Sequence, residues 1–397
     1  MPGNLSLLQA GSDREPVFRN APDVIRRVKP AEPVYLFSEA RLRARALRFQ
    51  RGFPGAVGYA VKANPEERVI RALVDQGICH FDVASIGEVE ALASRHPRAQ
   101  LHFNNPVKPL EAIEAAWRRF GVRSFALDER AELVKIRQAT RHDPAVIYSV
   151  RFKLPHEGAC YDFGSKFGAA PDYAARLLAG VAAVGARPAL TFHPGSQCLD
   201  PSMYAKYLRT AAEIAQAAGV EPVQINVGGG FPEQYGGAAI PSLEHYFSAI
   251  GASARACFRR PPLLLCEPGR GMAADSVSLL ARIIHVREDN RTVFLNDGVY
   301  GGMQEQALID LDLPVRVWRE GRLLRGRTQV CRLFGPTCDP TDRLRAEVPL
   351  AGPVQTGDYL EFGLLGAYAS ATATAFNGFR STVYYNVKEG FSAALAG

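Results

Sequence analysis

The chain has 397 residues, 47% of them apolar and 22% charged, with a formal net charge of +7. That length exceeds what one hydrophobic core usually serves, so two domains are expected; the composition is that of a soluble globular protein, and no run approaches the roughly 20 apolar residues of a membrane span. The positive charge is spread over candidate helices (Arg41, Arg43, Arg45, Arg48) and over Arg316 to Arg327 without an aromatic-studded groove, which argues against a nucleic-acid partner.

The segment from Met1 to Asn20 mixes Gly, Asp, Arg and Pro around a short apolar patch at Leu5 to Leu8, unlike a secretory leader, so a cytoplasmic location is expected. Seven cysteines (Cys79, Cys160, Cys198, Cys257, Cys266, Cys331, Cys338) are scattered and contain no Cys-x-x-Cys pair, so neither a disulfide framework nor a zinc site is expected and no metal is assigned. Residues 1 to about 30 read as an irregular arm. Pro33 to Phe37 reads as a strand, and a helix follows from an N-cap at Ser38 to about Arg51.

From there an alternation begins. Apolar strand-like runs lie at 57–61, 80–84, 101–103, 124–127, 146–152, 189–193, 223–227 and 263–266, separated by stretches of helical spacing at 66–76, 86–95, 109–120, 129–140, 171–184, 203–218 and 242–258. Strands alternating with helices imply a parallel sheet, and this many units favour a closed (β/α)8 barrel over an open doubly wound sheet, which would carry a Gly-x-Gly-x-x-Gly turn that is absent. After about Ala274 the helical spacing fades into short β-branched runs at 278–286, 292–295, 315–317, 329–333 and 359–362, punctuated by Gly and Pro. The fold expected is therefore α/β: a barrel over 38–274 and an all-β domain, sandwich or barrel, from 1–37 and 275–397 that includes the N-terminal strand.

In such a barrel chemistry collects where the strands end. That face would carry Lys62, Ser85 and Glu88, Asn105, Arg151, His193 and Ser196, Gly228-Gly229-Gly230, and Glu267 with Arg270. Lys62 has two open readings: a lysine snorkelling from a sheet end, or an amine whose desolvation favours the neutral, nucleophilic form that adds to an aldehyde. The triple glycine lets backbone N–H groups close round an anion, and Arg270 in the next loop adds a fork. Glu267 follows an apolar strand and would emerge into the barrel mouth, where a carboxylate can hold the proton of a pyridine nitrogen. His193 is open between a satisfied core histidine and a ring stacked on a flat cofactor.

These residues carry a resemblance. Tyr59-Ala-Val-Lys62-Ala-Asn64, His193-x-Gly-Ser-Gln197, Gly228-Gly-Gly-Phe-Pro232, Glu267-Pro-Gly-Arg270, Gly335-Pro-Thr-Cys-Asp-x-x-Asp342, and Gly366-Ala-Tyr368 with Phe376-Asn-Gly-Phe379 occur in an order that resembles the alanine-racemase-fold (fold-type III) pyridoxal-phosphate-dependent decarboxylases, ornithine decarboxylases most of all. The resemblance implies a cofactor, pyridoxal 5'-phosphate, and carries roles by position. Lys62 matches the lysine that binds the cofactor, His193 the residue stacked on its ring and Glu267 the partner of its nitrogen. Ser196, Gly229, Gly230, Arg270 and Tyr368 match the phosphate binders, while Asp82, Glu88 and Arg151 match positions supporting the lysine and the ring. Cys338 matches the proton donor, Asp339 and Asp310 the groups that receive the substrate's distal ammonium, and Tyr300 and Phe376 fall in motifs beside the substrate. In that family Cys338 and Asp339 come from the other subunit of a homodimer, and Lys166 and Asp342 match an ion pair across its interface.

The implied reaction is decarboxylation of a basic L-amino acid in the cytoplasm, ornithine to putrescine and carbon dioxide, a step of polyamine biosynthesis. Lysine, or both lysine and ornithine, and diaminopimelate are the rival substrates, and a non-catalytic regulatory relative is the rival class. Three departures bear on substrate choice: Pro194 where an aliphatic residue is common, Asn226 where an acidic one is usual, and one extra residue between Gly301 and Asp310.

Overall fold

The computed structural model describes residues 16–154, 159–161, 166–236, 239–309 and 311–391. Eight parallel strands close into a barrel: Ala56–Ala60, His80–Val83, Gln100–Phe103, Ser124–Leu127, Ile147–Arg151, Arg187–Thr191, Gln224–Asn226 and Leu263–Cys266. Closure is made by the last against the first, with Leu265 opposite Ala56 and Cys266 opposite Val57. The intervening helices bury one apolar face each. Helix Glu67–Asp75, for example, buries Val69, Ile70, Ala72 and Leu73, and Leu110–Phe120 ends at Gly121, whose φ of 69° is the left-handed cap that glycine adopts without strain.

The barrel interior is polar along part of its length. His80 Nδ1 lies 3.0 Å from His102 Nε2, and His102 Nδ1 lies 3.0 Å from Ser124 Oγ, so three neighbouring strands are joined by a side-chain ladder. Burial pushes the His102 imidazole down to about 3, which keeps the ladder neutral.

The second domain is a twisted β-sheet. Strand Val34–Phe37 lies parallel to Tyr384–Val387 and antiparallel to Val277–Val286, which continues through Thr292–Leu295, Thr328–Phe334 and Val348–Ala351; Tyr359–Phe362 and Val315–Arg319 branch from it. The N-terminal strand thus belongs to this domain, as expected.

The N-terminal arm is not irregular throughout. Val17–Phe18 forms a short strand, and Ala21–Arg27 is a helix whose N-cap Asn20 accepts from the Asp23 N–H at 3.4 Å. Its Val24 and Ile25 pack with Phe18, Val34, Leu36, Trp318 and Tyr359 in a second small core, a tertiary contact that so short an apolar pair does not announce. Ser38 stands at the N-cap of helix Glu39–Gly52 but makes no capping bond. The arginines of that helix meet the protein's own acids: Arg41 pairs with Asp275, Arg43 with Glu39, Arg45 with Glu233 and Arg48 with Glu244. Among the described residues, no helix is long and apolar enough to cross a membrane.

Candidate active site

Lys62 sits one step past its strand, in the 3-10 turn Val61–Ala63. That turn is pinned from both sides. Asn64 Nδ2 donates to the Gly366 carbonyl at 3.0 Å, its Oδ1 accepts from the Glu66 N–H at 3.1 Å, and Tyr59 OH donates to the Asn64 carbonyl at 3.1 Å. The Lys62 amine opens into a cavity of about 210 Å³ that also receives Asp82, Asn104, Arg151, His193, Gly228 and Glu267. Asp82 Oδ2 lies 3.5 Å from the amine.

Desolvation alone would favour the neutral amine, as anticipated from the apolar strand. Yet the side chain keeps 43% of its surface open to the cavity, and Asp82, then Tyr368 and Glu267, outweigh the desolvation and the opposing Arg151. The ammonium is held above the ordinary lysine range, although burial by itself would lower it.

Glu267 is buried and its proton affinity is raised, first by burial and then by Asp82. Two amides oppose this: Asn104 Nδ2 donates to Glu267 Oε1 at 2.7 Å, and the Asn226 side-chain amide also lowers the carboxylate's proton affinity. His193 is buried, and its Nδ1 accepts the Gly195 N–H at 3.0 Å. Burial, reinforced by Lys62 and Arg151, keeps its ring well below the usual histidine range, so it presents a neutral flat face. Arg151 lies with its guanidinium 5.5 Å from the Phe167 ring centre.

A second cavity of about 180 Å³ is lined by Ser196, Arg270, Glu305 and Tyr368. Arg270 is buried between aromatic rings, 5.0 Å from the centre of Tyr368 and 5.6 Å from that of Tyr235. Its Nε donates to Ser196 Oγ at 3.3 Å, one terminal nitrogen donates to Tyr235 OH and Glu305 Oε2, both at 2.8 Å, and the other to Glu305 Oε1. The glycine turn beside it has no room for side chains: a Cβ on Gly230 would come 2.5 Å from the Gly195 carbonyl oxygen, and one on Gly229 would meet His193 Nε2 at 3.2 Å. Gly228 and Gly230 hold φ of 69° and 90°, and Tyr204 OH secures the turn by donating to the Gly229 carbonyl at 2.7 Å.

The barrel residues expected from the sequence therefore converge, with two changes of role. Ser85 and Glu88 form a helix capping box, Ser85 Oγ accepting from the Glu88 N–H at 3.2 Å and Glu88 Oε2 from the Ala84 N–H at 2.6 Å. Glu88 reaches Lys62 and Asp82 only through their charge. Asn105 lines the Lys62 cavity as expected, and its neighbour Asn104 joins it there, with its amide on the Glu267 carboxylate.

The β-domain residues gather separately. Tyr300 OH donates to Asp339 Oδ2 at 2.6 Å, the Tyr300 and Phe376 rings lie 4.7 Å apart, and Cys338, an exposed thiol, contacts Asn377 Oδ1 at 3.3 Å. Cys338 and Asp339 line a cavity of about 430 Å³ together with Thr337 and Asp342, apart from the one that holds Lys62. Tyr300, then Thr341, hold the Asp339 carboxyl below the usual range. Asp310 lies outside the described residues. Asp342 is buried at the wall of the Cys338 cavity, where its carboxylate accepts from the Val299 N–H at 2.9 Å, the Thr337 N–H at 3.0 Å and Thr337 Oγ1 at 2.8 Å.

A primary amine, a buried carboxylate and a neutral imidazole around one cavity, beside a glycine turn with an arginine, define a barrel enzyme built to hold an aromatic aldehyde bearing a phosphate. Residues 39–274 match the family described as pyridoxal-dependent decarboxylase, pyridoxal binding domain. A decarboxylase of Aspergillus flavus (flvG) is 32% identical over 358 residues, covering 82% of this chain and 79% of its own. A lysine/ornithine decarboxylase of Selenomonas ruminantium is 30% identical over 334 residues, 81% of each. The crystal structure of lysine/ornithine decarboxylase from Vibrio vulnificus complexed with putrescine superposes with a TM-score of 0.78 at 26% identity, covering 92% of this chain and 96% of that one. The chain belongs to the pyridoxal-dependent decarboxylases, and its cofactor is pyridoxal phosphate.

Proposed function

We propose that this enzyme decarboxylates a basic L-amino acid, L-ornithine foremost, yielding carbon dioxide and putrescine. The observation that carries the reading is the shared cavity of the Lys62 amine, the Asp82 and Glu267 carboxylates and the His193 ring. Lys62 would hold the cofactor covalently, Glu267 would receive its pyridine N–H, and His193 would lie against its ring. Ser196, Arg270, Tyr368 and the N–H groups of Gly229 and Gly230 would take its phosphate, with Asp82 and Arg151 setting the charge around the lysine. When bound, the cofactor supplies the electron sink that loss of a carboxyl group needs. The protein's remaining task is to return one proton to the carbon that lost carbon dioxide, and we assign it to the Cys338 thiol.

Substrate choice is assigned to the β-domain cluster. Asp339 stays ionised near neutral pH and faces an apolar wall of Tyr300 and Phe376, which suits an aliphatic chain ending in a cation. The lysine/ornithine decarboxylases among its relatives support those two side chains over diaminopimelate, whose second carboxylate would meet Asp339. Because the two clusters line separate cavities of one chain, we assign a homodimer in which each barrel mouth meets the Cys338 turn of the partner subunit. The free cysteines of the described residues suit a reducing cytoplasm.

The test combines borohydride reduction with product analysis. Reduction should fix the cofactor to the Lys62 peptide, Lys62→Ala should turn over nothing, and ornithine should yield putrescine faster than lysine yields cadaverine. Labelling of a different lysine, or no release of carbon dioxide from any basic amino acid, sinks the proposal.

A further inference from the structure

We propose that Asn104 is a positioning residue for Glu267, clamping its carboxylate from across the barrel against the protonation that its buried setting favours, with the Asn226 amide acting in the same sense. Asn104 hydrogen-bonds the carboxylate at 2.7 Å, and the Asn226 amide beside it also lowers its proton affinity. The donor sense is fixed at Asn226. Its Oδ1 already accepts the Gly228 N–H at 2.9 Å, so the group it turns to Glu267 is its NH₂. Glu267 is itself held in register, its N–H donating to the Gly228 carbonyl at 2.8 Å. Amide donors turned to a carboxylate favour it over the carboxylic acid, which would need one of those lone pairs for its own proton.

The loop that delivers Asn104 is fastened at both ends. The Asn104 N–H donates to the Val83 carbonyl at 3.0 Å, next to Asp82. Four residues on, the buried Lys108 amine reaches the carbonyls of Asn105 at 2.8 Å, Pro106 at 3.2 Å and Ala126 at 2.6 Å. Burial pushes this amine down to about 7 while Glu132, 3.9 Å away, favours the charged form, whose three N–H bonds match the three carbonyls and tie the loop to the next strand.

The clamp works against a real load. Burial and Asp82 both push a proton onto Glu267 and Lys62 opposes them; among the described residues Cys266, Arg151 and the neutral His193 are the other ionisable groups close to it. Asn226 stands where the resemblance has an acidic residue, so this chain places neutral donors where another negative charge would add to the load. Asn104 acts only through Glu267 and needs no contact with substrate.

The inference rests on Glu267 being the partner of the cofactor nitrogen, and the experiment separates the two claims. The holoenzyme is titrated with pH while the absorption of the bound cofactor and kcat are followed, for wild type, Asn104→Ala, Asn104→Asp and Glu267→Gln. Losing a charge-assisted hydrogen bond should raise the midpoint of the acid limb by about one to two pH units in Asn104→Ala, with the spectral transition moving in step and KM unchanged. Asn104→Asp has the same shape but brings a charge in place of a donor, and should move both further. Glu267→Gln should abolish the transition. If Glu267→Gln leaves it intact, the assignment of Glu267 fails. If Glu267→Gln abolishes it but both Asn104 variants keep the wild-type midpoint, the clamp is overturned while that assignment stands. A loss of thermal stability in the Asn104 variants without a shifted midpoint counts as a merely structural role and also overturns it.

Discussion

The backbone N–H of Tyr368 donates to the carbonyl of Ala63 at 2.8 Å, so the β domain is bonded to the lysine-bearing turn one residue from Lys62. Two residues earlier, the Gly366 carbonyl accepts from Asn64 Nδ2. The two domains therefore share a seam at the cofactor site. A strain or shift in the sheet reaches Lys62 through the backbone without crossing solvent.

The seam gives a first prediction. Asn64 is buried, and Asn64→Ala would strand the Gly366 carbonyl and the Glu66 N–H together. Leaving such groups unpaired costs roughly 1–3 kcal/mol each. Urea unfolding should show a loss in that range, and cofactor affinity should fall with it because Lys62 and Tyr368 are displaced relative to each other. A variant with unchanged stability and affinity would mean the two domains are positioned by other contacts.

Arg270 supplies the second. It is the buried cation beside the glycine turn, and Arg270→Ala removes its contact with an anion along with those to Ser196 and Glu305. A charge-assisted contact is worth roughly 1.5–3 kcal/mol, about ten- to hundred-fold in affinity. Absorbance titration should show that much weaker binding of pyridoxal phosphate, while pyridoxal, which lacks the phosphate, should bind wild type and variant alike. Equal loss for both ligands would place Arg270 outside the phosphate contact.

The histidine ladder makes stability depend on pH in a predictable direction. His102 is held at about 3 when folded, against about 6.5 when unfolded, so the unfolded chain binds the proton more readily. Its contribution is complete above pH 6.5 and is lost as the pH falls from there towards 3; between pH 7 and 5 the loss is about 2 kcal/mol. Comparing urea midpoints at the two pH values for wild type and His102→Gln isolates this term, since other groups titrate in both. The variant should lose less stability on acidification. An identical drop would show that His102 is not the group taking up the proton.

Much of this was legible in the sequence, for physical reasons that differ by region. Each barrel strand is a short apolar run ended by a polar or glycine-rich turn, so its position and its reactive end could be read together; Lys62, His193, Glu267 and Arg270 all follow that pattern. The β-domain strands Val348–Ala351 and Tyr384–Val387 were missed because one holds a proline and the other carries polar residues at a sheet face. Asn104 and Glu305 were invisible for another reason. Their partners, Glu267 and Arg270, are distant in sequence or on a different domain, and only closure of the barrel brings them within reach. The alternation of faces held one clue: Asp82 and His102 are register partners, so Asn104 points the same way, but that register is a tertiary fact.

The last prediction is that each working site is shared between two chains. Lys62 and Cys338 line different cavities of one chain, and a symmetric dimer would bring the Cys338 turn to the partner's barrel mouth twice over. Lys62→Ala and Cys338→Ala chains should each be nearly inactive alone. Mixed and allowed to exchange, they should form heterodimers in which one site carries both lesions and the other carries neither. Random exchange makes about half the dimers mixed, with half of their sites intact, so activity should return to about one quarter of wild type. If both residues served a site within one chain, every site in the mixture would keep a lesion and no ratio of the two would restore turnover. Failure to recover after exchange has been demonstrated, for instance by a size-tagged chain appearing in mixed dimers, would therefore remove the shared site and leave the assignment of Lys62 untouched.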